Sequence, residues 1–387
     1  MRIYLDANAT TPLDPRVHRR MCPWERESFG NASSRDHRWG WDAADEVEQA
    51  RSLVADTAGV PATDVLFVSG ATEALNTIIR SYVGFADWPT KRIVTCATEH
   101  DAVLRTSRHL CARTGVALDV LPVDAQGRLD LDRLRRALAR GGRSLVALMA
   151  ANNETGVVHP VREIAALVHA AGGSLLCDTT QAFGKTPVDV AHDGIDFATL
   201  SAHKIHGPKG AGALLVRDGL RRELEPLMLG GGQEHGLRGG TLDVPGIVGL
   251  GEASRLVREE LVDDVSRMRC LRDHLEAGIL SQLSDTWVNG DGTDRLCNTS
   301  NIGFRGIDAR ALIRDLDDIA VSTRSACSSG DARPSHVLTA MGLSDDDAYA
   351  CVRFSLGRFT TPDEVDHTIG KVVASVHKLR RATSARR

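Results

Sequence analysis

The chain has 387 residues, 42% of them hydrophobic and 25% charged, and a formal net charge of −4. Such a composition belongs to an ordinary globular protein long enough for two cores. The slight acidity argues against wholesale binding to nucleic acid or membrane, although the tail from Lys378 to Arg387 is locally basic. With no leader-like apolar segment at the start and no apolar run of roughly eighteen residues anywhere, a cytoplasmic protein without membrane contact is expected.

Ile3 to Leu5 predicts a short strand that runs into a loop, DANATTPLDP, and a second polar loop at Ser28 to Arg35 precedes a helix from about Trp41 to Ala58. Asn8 and Asn31 in these loops are either turn formers or ligand contacts. Val65 to Val68 reads as a buried strand, followed by Ser69-Gly70-Ala71-Thr72-Glu73 and a helix to about Tyr82. Strand, small-residue turn and helix start together make an anion site, because free backbone N–H groups and the helix dipole face the ligand.

Strands at Arg92 to Ala97, Val116 to Pro122, Ser144 to Ala150, Ser174 to Cys177 and Phe197 to Leu200 alternate with helical patterns such as Leu131 to Arg140 and Val161 to Ala171. That alternation predicts βαβ units and a largely parallel sheet. A Gly-rich loop, Leu229 to Thr241, leads to a long helical pattern from Gly251 to Leu283, near whose start a domain change is placed. The remainder reads as α+β: a strand at Ser300 to Phe304, a helix from Ala309 to Leu316, a strand at Ile319 to Ser322, a helix after Pro334, a strand at Cys351 to Ser355 and a final helix from Pro362.

Polar clusters stand at the carboxyl ends of successive strands: Thr98-Glu99-His100, Asn152-Asn153-Glu154, Asp178-Thr179-Thr180-Gln181 and Ser201-Ala202-His203-Lys204. Ligands bind at that edge of an open α/β sheet. A pyridoxal phosphate enzyme needs a lysine for the Schiff base, a carboxylate for the pyridine nitrogen, a stacking group and a phosphate cup. Lys204, with Asp178 26 residues upstream, fits the first two needs, and His100 the third. Gln181 and Asn153 can bond the ring hydroxyl, while Ala71, Thr72, Ser201 and His203 can form the cup. Singly, each of these has a structural explanation; their placement on one edge favours the site.

The segments YLDANATTP, FGNASSRDHRWGW, SGATEALN, TEHDAV, NNETGVV, CDTTQAFGK, SAHKIHGPKG, LRGGTLDV, RSACSS and RFSLGRFTT lie in order along nearly the whole chain, from Tyr4 to Thr361. In sequence and spacing they resemble the cysteine desulfurases of the NifS and IscS kind, within the class V aminotransferase-like enzymes. The resemblance implies a fold-type I pyridoxal phosphate-dependent transferase: a large α/β domain with a mostly parallel seven-stranded sheet (residues 16–250) and a smaller α+β domain (1–15 and 251–387). It implies Lys204 as the Schiff-base lysine, Asp178 as the pyridine partner, His100 as the stacking residue, and Gln181 and Asn153 at the ring oxygen. Phosphate would be held by Ala71, Thr72, Ser201 and His203, with Thr241 reaching the other subunit's site in a homodimer. Arg353 would take the substrate carboxylate with Asn31 nearby, and Cys327 would accept sulfur from L-cysteine as a persulfide while L-alanine leaves.

Eight cysteines occur without a CxxC pair, which argues for free thiols, and Cys327 differs from the others in its small polar neighbours. No metal is expected beyond Cys327 as a transient iron–sulfur ligand. The implied partners are L-cysteine and a sulfur-acceptor protein, either an iron–sulfur scaffold or an enzyme of DNA or tRNA thio-modification, the phosphorothioation member of the family among the candidates. Direct nucleic-acid contact is the weakest expectation. An aminotransferase or selenocysteine lyase would keep Lys204 and Asp178 without needing Cys327, and a non-catalytic sulfur relay would need no cofactor. Arg324, Gly239 and His206 depart from the residues common in the family, without removing a chemical group.

Overall fold

The computed structural model describes residues 2–84, 90–323 and 333–384. In chain order the elements are β1 (Ile3–Tyr4), α1 (Pro15–Arg26), α2 (Arg38–Ala58), β2 (Val65–Val68), α3 (Ala71–Gly84), β3 (Thr90–Cys96), α4 (Asp101–Thr114), β4 (Ala117–Leu121), α5 (Leu131–Leu138), β5 (Arg143–Met149), α6 (Val161–Ala170), β6 (Ser174–Asp178), β7 (Phe197–Ser201) and β8 (Gly212–Val216). After these come α7 (Val244–Leu280), β9 (Thr286–Asn289), β10 (Thr299–Phe304), α8 (Ala309–Asp315), β11 (Ile319–Ala320), α9 (His336–Ala340), α10 (Asp345–Tyr349), β12 (Cys351–Ser355) and α11 (Pro362–Ser384).

Seven strands form one sheet in the order β2-β8-β7-β6-β5-β3-β4. The pairs from β7 through β6, β5 and β3 to β4 are parallel, and β8 runs antiparallel to both of its neighbours. This is the mostly parallel seven-stranded sheet expected. Alternation along the strands splits its apolar residues between two faces. Phe67, Val146, Leu148, Cys177 and Leu200 pack on one side with α2, α5, α6 and the start of α7. Leu66, Leu145, Ala147, Leu176 and Phe197 pack on the other with α3 and α4.

A further core gathers Ile3, Leu5, Leu271, Leu275, Ile302, Leu312, Phe354, Val365 and Val372. It lies on a three-stranded antiparallel sheet, β12-β10-β9, and the parallel pair β1-β11. Helix α7 has 37 residues, a length of about 55 Å at 1.5 Å per residue. Its first half (Leu250, Ala253, Leu256) belongs to the sheet core and its second half (Leu271, Leu275, Ile279) to the smaller one.

Elements α1, β8 and β9 go beyond the sequence expectation. Helix α1 buries only Val17 and Met21 and contains Pro23, so its apolar signal is weak; Asp14 caps it by accepting from the Arg16 amide at 2.8 Å. Strand β8 opens on Gly212 because nothing larger fits: a Cβ there would sit 2.5 Å from both the Gly70 Cα and the Leu200 carbonyl oxygen. That close approach brings the turn before α3 against the end of β7, where Lys204 follows.

Candidate active site

One cavity of about 490 Å³ lies at the carboxyl ends of β3, β5, β6 and β7, and its lining includes Ala71, Thr72, His100, Asn153, Asp178, Gln181, Ser201, His203, Lys204 and Arg353. Ten of the residues singled out from sequence therefore meet in one place. Asn31 and Thr241 lie outside this lining in the single chain. Asn31 is exposed and its Oδ1 accepts from the Ser33 amide at 2.9 Å, while Thr241 is exposed after the Gly-rich loop. Cys327 and Arg324 lie outside the described residues.

Asp178 ends β6, in register with Met149 of β5 and Thr199 of β7. Its Oδ1 accepts from the Thr180 amide at 3.0 Å and the Thr199 hydroxyl at 3.1 Å. Lys204 sits in the short turn after β7, where its Nζ donates to the carbonyls of Asn8 at 2.5 Å and Ala9 at 2.9 Å. The N-terminal DANATTP loop thus supplies the acceptors that hold the lysine.

His100 caps α4, its Nδ1 accepting from the Ala102 amide at 3.1 Å. With Nδ1 committed as acceptor, a neutral ring carries its proton on Nε2. Beside it Glu99 is fully buried; Oε1 accepts from the Met149 amide at 2.7 Å and Oε2 has no partner among the described residues. Burial, reinforced by the charge of Asp178, pushes this carboxyl well above its ordinary range.

At the start of α3 the Ala71 amide donates to the Ser201 hydroxyl at 2.9 Å. The Thr72 and Glu73 amides, in the first turn, have no intrahelical acceptor and are available to an anion. His203, bonded through Nδ1 to the Thr10 hydroxyl at 3.1 Å, is pushed down to about 4 by burial and then by Lys204, Lys209 and Lys185. Burial accounts for most of that depression, and the three lysine charges add to it. The site therefore pairs an electropositive helix start with a carboxylate at the other side, a donor set suited to a group with an anionic phosphate and a cationic ring.

Arg353, from β12, is 1% exposed. Its Nη1 donates to the Asn153 carbonyl at 3.0 Å and its Nη2 to Asp6 Oδ1 at 2.6 Å. Gln181 donates from Nε2 to the Asn8 carbonyl at 2.9 Å, and its Oε1 accepts from Lys185 at 3.2 Å. Lys185 is fully buried, and burial followed by repulsion from Lys204 lowers its amine to about 7. Because an ammonium or amine N–H must face an oxygen, Lys185 fixes which end of the Gln181 amide faces Asn8.

Sequence reasoning missed Asp6, Lys185 and Glu234, and named Glu73 only as a member of the turn before α3. Asp6 and Lys185 both stand inside segments already recognised as motifs, and a charge within the apolar run QAFGK is a signal of its own. Glu234 anchors the Gly-rich loop: it takes a two-pronged ion pair from buried Arg51 at 2.8 and 2.9 Å and the Phe67 amide at 2.7 Å. Arg238 on the same loop bonds Glu73 at 3.1 Å.

A lysine, an aspartate and a histidine are thus grouped at the carboxyl edge of this sheet, beside a helix start whose free amides could take an anion. The profile described as Aminotransferase class-V matches residues 3–368, and the chain belongs to that family. It is 47% identical over 378 residues to the cysteine desulfurase IscS of Anaeromyxobacter sp. (strain Fw109-5), covering 98% of this chain and 93% of that protein. Among solved structures, a NifS-like protein superposes with a TM-score of 0.90 at 35% identity, over 98% of this chain and 100% of that one. SspA in complex with cysteine superposes with a TM-score of 0.80 at 32% identity, over 93% of this chain and 100% of that one.

Proposed function

We propose that this chain is a pyridoxal 5'-phosphate-dependent cysteine desulfurase that converts L-cysteine to L-alanine and takes the sulfur on Cys327. The single observation that carries the reading is the cavity in which Lys204, Asp178, His100 and Arg353 meet, in a chain of the class V family. When bound, the cofactor supplies an electron sink for the carbon that bears the substrate amine.

Asp178 would be the carboxylate that keeps the ring nitrogen cationic, and Gln181 and Asn153 would serve the ring oxygen. The amides at the start of α3, with Ala71, Thr72, Ser201 and His203, hold the phosphate. Arg353 binds the substrate carboxylate through its planar fork, assisted by Asn31. Lys204 takes the Cα proton, and His100, with its proton on Nε2, hands one on to the reacting atoms. The substrate Cβ–S bond breaks as an S–S bond forms at the Cys327 thiolate, and Cβ takes up a proton, so alanine and a persulfide are the only products.

The persulfide is a sulfur source for iron–sulfur cluster assembly or for DNA or tRNA thio-modification. We take residues 16–250 as the cofactor-binding domain and 1–15 with 251–387 as the smaller domain bearing Cys327. A homodimer fits the exposure of Phe29, Trp39, Trp41 and Leu229, large apolar side chains near the loops that carry Asn31 and Thr241. Thr241 then serves the partner's phosphate. Among the described residues no helix is long and apolar enough to cross a membrane and no group of side chains is arranged to hold a metal.

Alanine and sulfide release from L-cysteine in Cys327→Ser tests the reading. Alanine should nearly vanish while the cofactor absorbance stays; alanine at the parent rate would favour a lyase or transaminase instead.

A further inference from the structure

Asn8, in the DANATTP loop, is 2% exposed, and each of its polar atoms has a partner. Its amide donates to the Ser355 hydroxyl at 3.0 Å, and its Oδ1 accepts from Asn298 Nδ2 at 3.1 Å. Its Nδ2 donates to the Thr299 hydroxyl at 2.8 Å and to the Asn153 carbonyl at 3.2 Å. Thr299 opens β10 and Ser355 ends β12, neighbouring strands of the three-stranded sheet, so one buried side chain and its amide tie the loop to that sheet. The Asn153 carbonyl is also the acceptor of Arg353 Nη1 at 3.0 Å. Such a set of bonds makes Asn8 neither a simple turn former nor a free ligand contact.

What the set holds still is the Asn8 carbonyl. That oxygen accepts from Gln181 Nε2 at 2.9 Å and from Lys204 Nζ at 2.5 Å, and the Ala9 carbonyl takes the same Nζ at 2.9 Å. Two carbonyl oxygens on one Nζ suit an ammonium, which has three N–H donors and no acceptor. Hydrogen bonds from a charged donor are also roughly twice as strong as neutral ones. A lysine linked to a cofactor as a Schiff base keeps at most one N–H and cannot serve both oxygens. The two carbonyls therefore favour the unlinked, protonated lysine.

We propose that Asn8 is a positioning residue that fixes its own carbonyl, beside that of Ala9, as a seat for the Lys204 ammonium whenever the lysine is not linked to the cofactor. This rests on the pyridoxal phosphate reading above. When an amine displaces the lysine, the C=Nζ linkage breaks as a C=N linkage to the incoming nitrogen forms, and the ammonium that enters is replaced by the Lys204 ammonium. The seat stabilises that product. It serves again once Lys204 has taken the Cα proton.

The test titrates holoenzyme with methylamine at one fixed pH, reduces it with borohydride and reads by peptide mass spectrometry the fraction of Lys204 that carries the pyridoxyl group. Methylamine has no carboxylate, so Arg353 takes no part. The half-point is read on the cofactor that stays bound, and is independent of how much each variant retains. In Asn8→Ala, the methylamine concentration that frees half of Lys204 should rise about tenfold, the low end for a hydrogen bond to a charged group. An unmoved or lowered half-point overturns the proposal and leaves Asn8 a structural residue only. Should Asn8→Ala fail to fold, Thr299→Val, which removes the 2.8 Å acceptor from outside the loop, decides by a rise of about threefold. A parent in which Lys204 carries no pyridoxyl group would instead sink the reading of the site as a pyridoxal phosphate centre.

Discussion

Lys185→Met isolates the cost of burying an amine beside Lys204. The folded protein holds Lys185 at about 7, against 10.5 for an ordinary lysine, through burial and then through the Lys204 charge. Between those values the unfolded chain binds more protons than the folded one, so stability rises with pH across that range. The penalty is complete below about pH 7 and disappears as pH climbs towards 10.5. At 1.36 kcal/mol per tenfold change in proton affinity, it amounts to roughly 5 kcal/mol at low pH, about 3 kcal/mol at pH 8 and about 1 kcal/mol at pH 10.

Methionine fills similar space without a charge but gives up the bonds to the Gln181 backbone and side-chain oxygens, about 1 kcal/mol each at any pH. The stability of Lys185→Met relative to the parent should therefore fall by roughly 2–3 kcal/mol between pH 8 and pH 10. Urea unfolding of the cofactor-free protein at several pH values measures that difference. A difference that stays flat from pH 7 to 10 would refute the buried, weakly basic amine.

Asp178→Asn removes the negative partner of the ring and should slow single-turnover alanine formation by roughly two to three powers of ten, the scale of a broken buried charge pair. Arg353→Lys keeps the charge but loses the fork, and should lower kcat/KM for L-cysteine about 10- to 100-fold, chiefly through KM. Glu234→Gln leaves Arg51 buried without its anion and should cost about 3–5 kcal/mol in denaturant unfolding. Gly212→Ala forces a Cβ to 2.5 Å from the Gly70 Cα, and a lowered melting temperature with weakened phosphate binding is the expected result.

Much of the fold was legible because its signals are local. Each parallel strand is a short apolar run followed by polar residues, and the polar residues mark the carboxyl edge where a ligand must sit. Lys204, Asp178 and His100 were found in this way, and all three line the cavity. Where the signal was weak, elements were missed: α1 has two buried apolar positions, and β8 begins in a run of glycines that reads as a turn.

By itself the sequence determined the chemistry available, since a lysine, an aspartate, a histidine and an arginine in those motifs define which bonds can be made and broken. Only the tertiary structure decided how those groups are held. Lys185 is weakly basic because folding buries it near a second lysine, and Asp6 meets Arg353 across 347 positions of chain. Burial and long-range pairing are properties of the packed chain. Neither has a period or a spacing to be read before the strands come together.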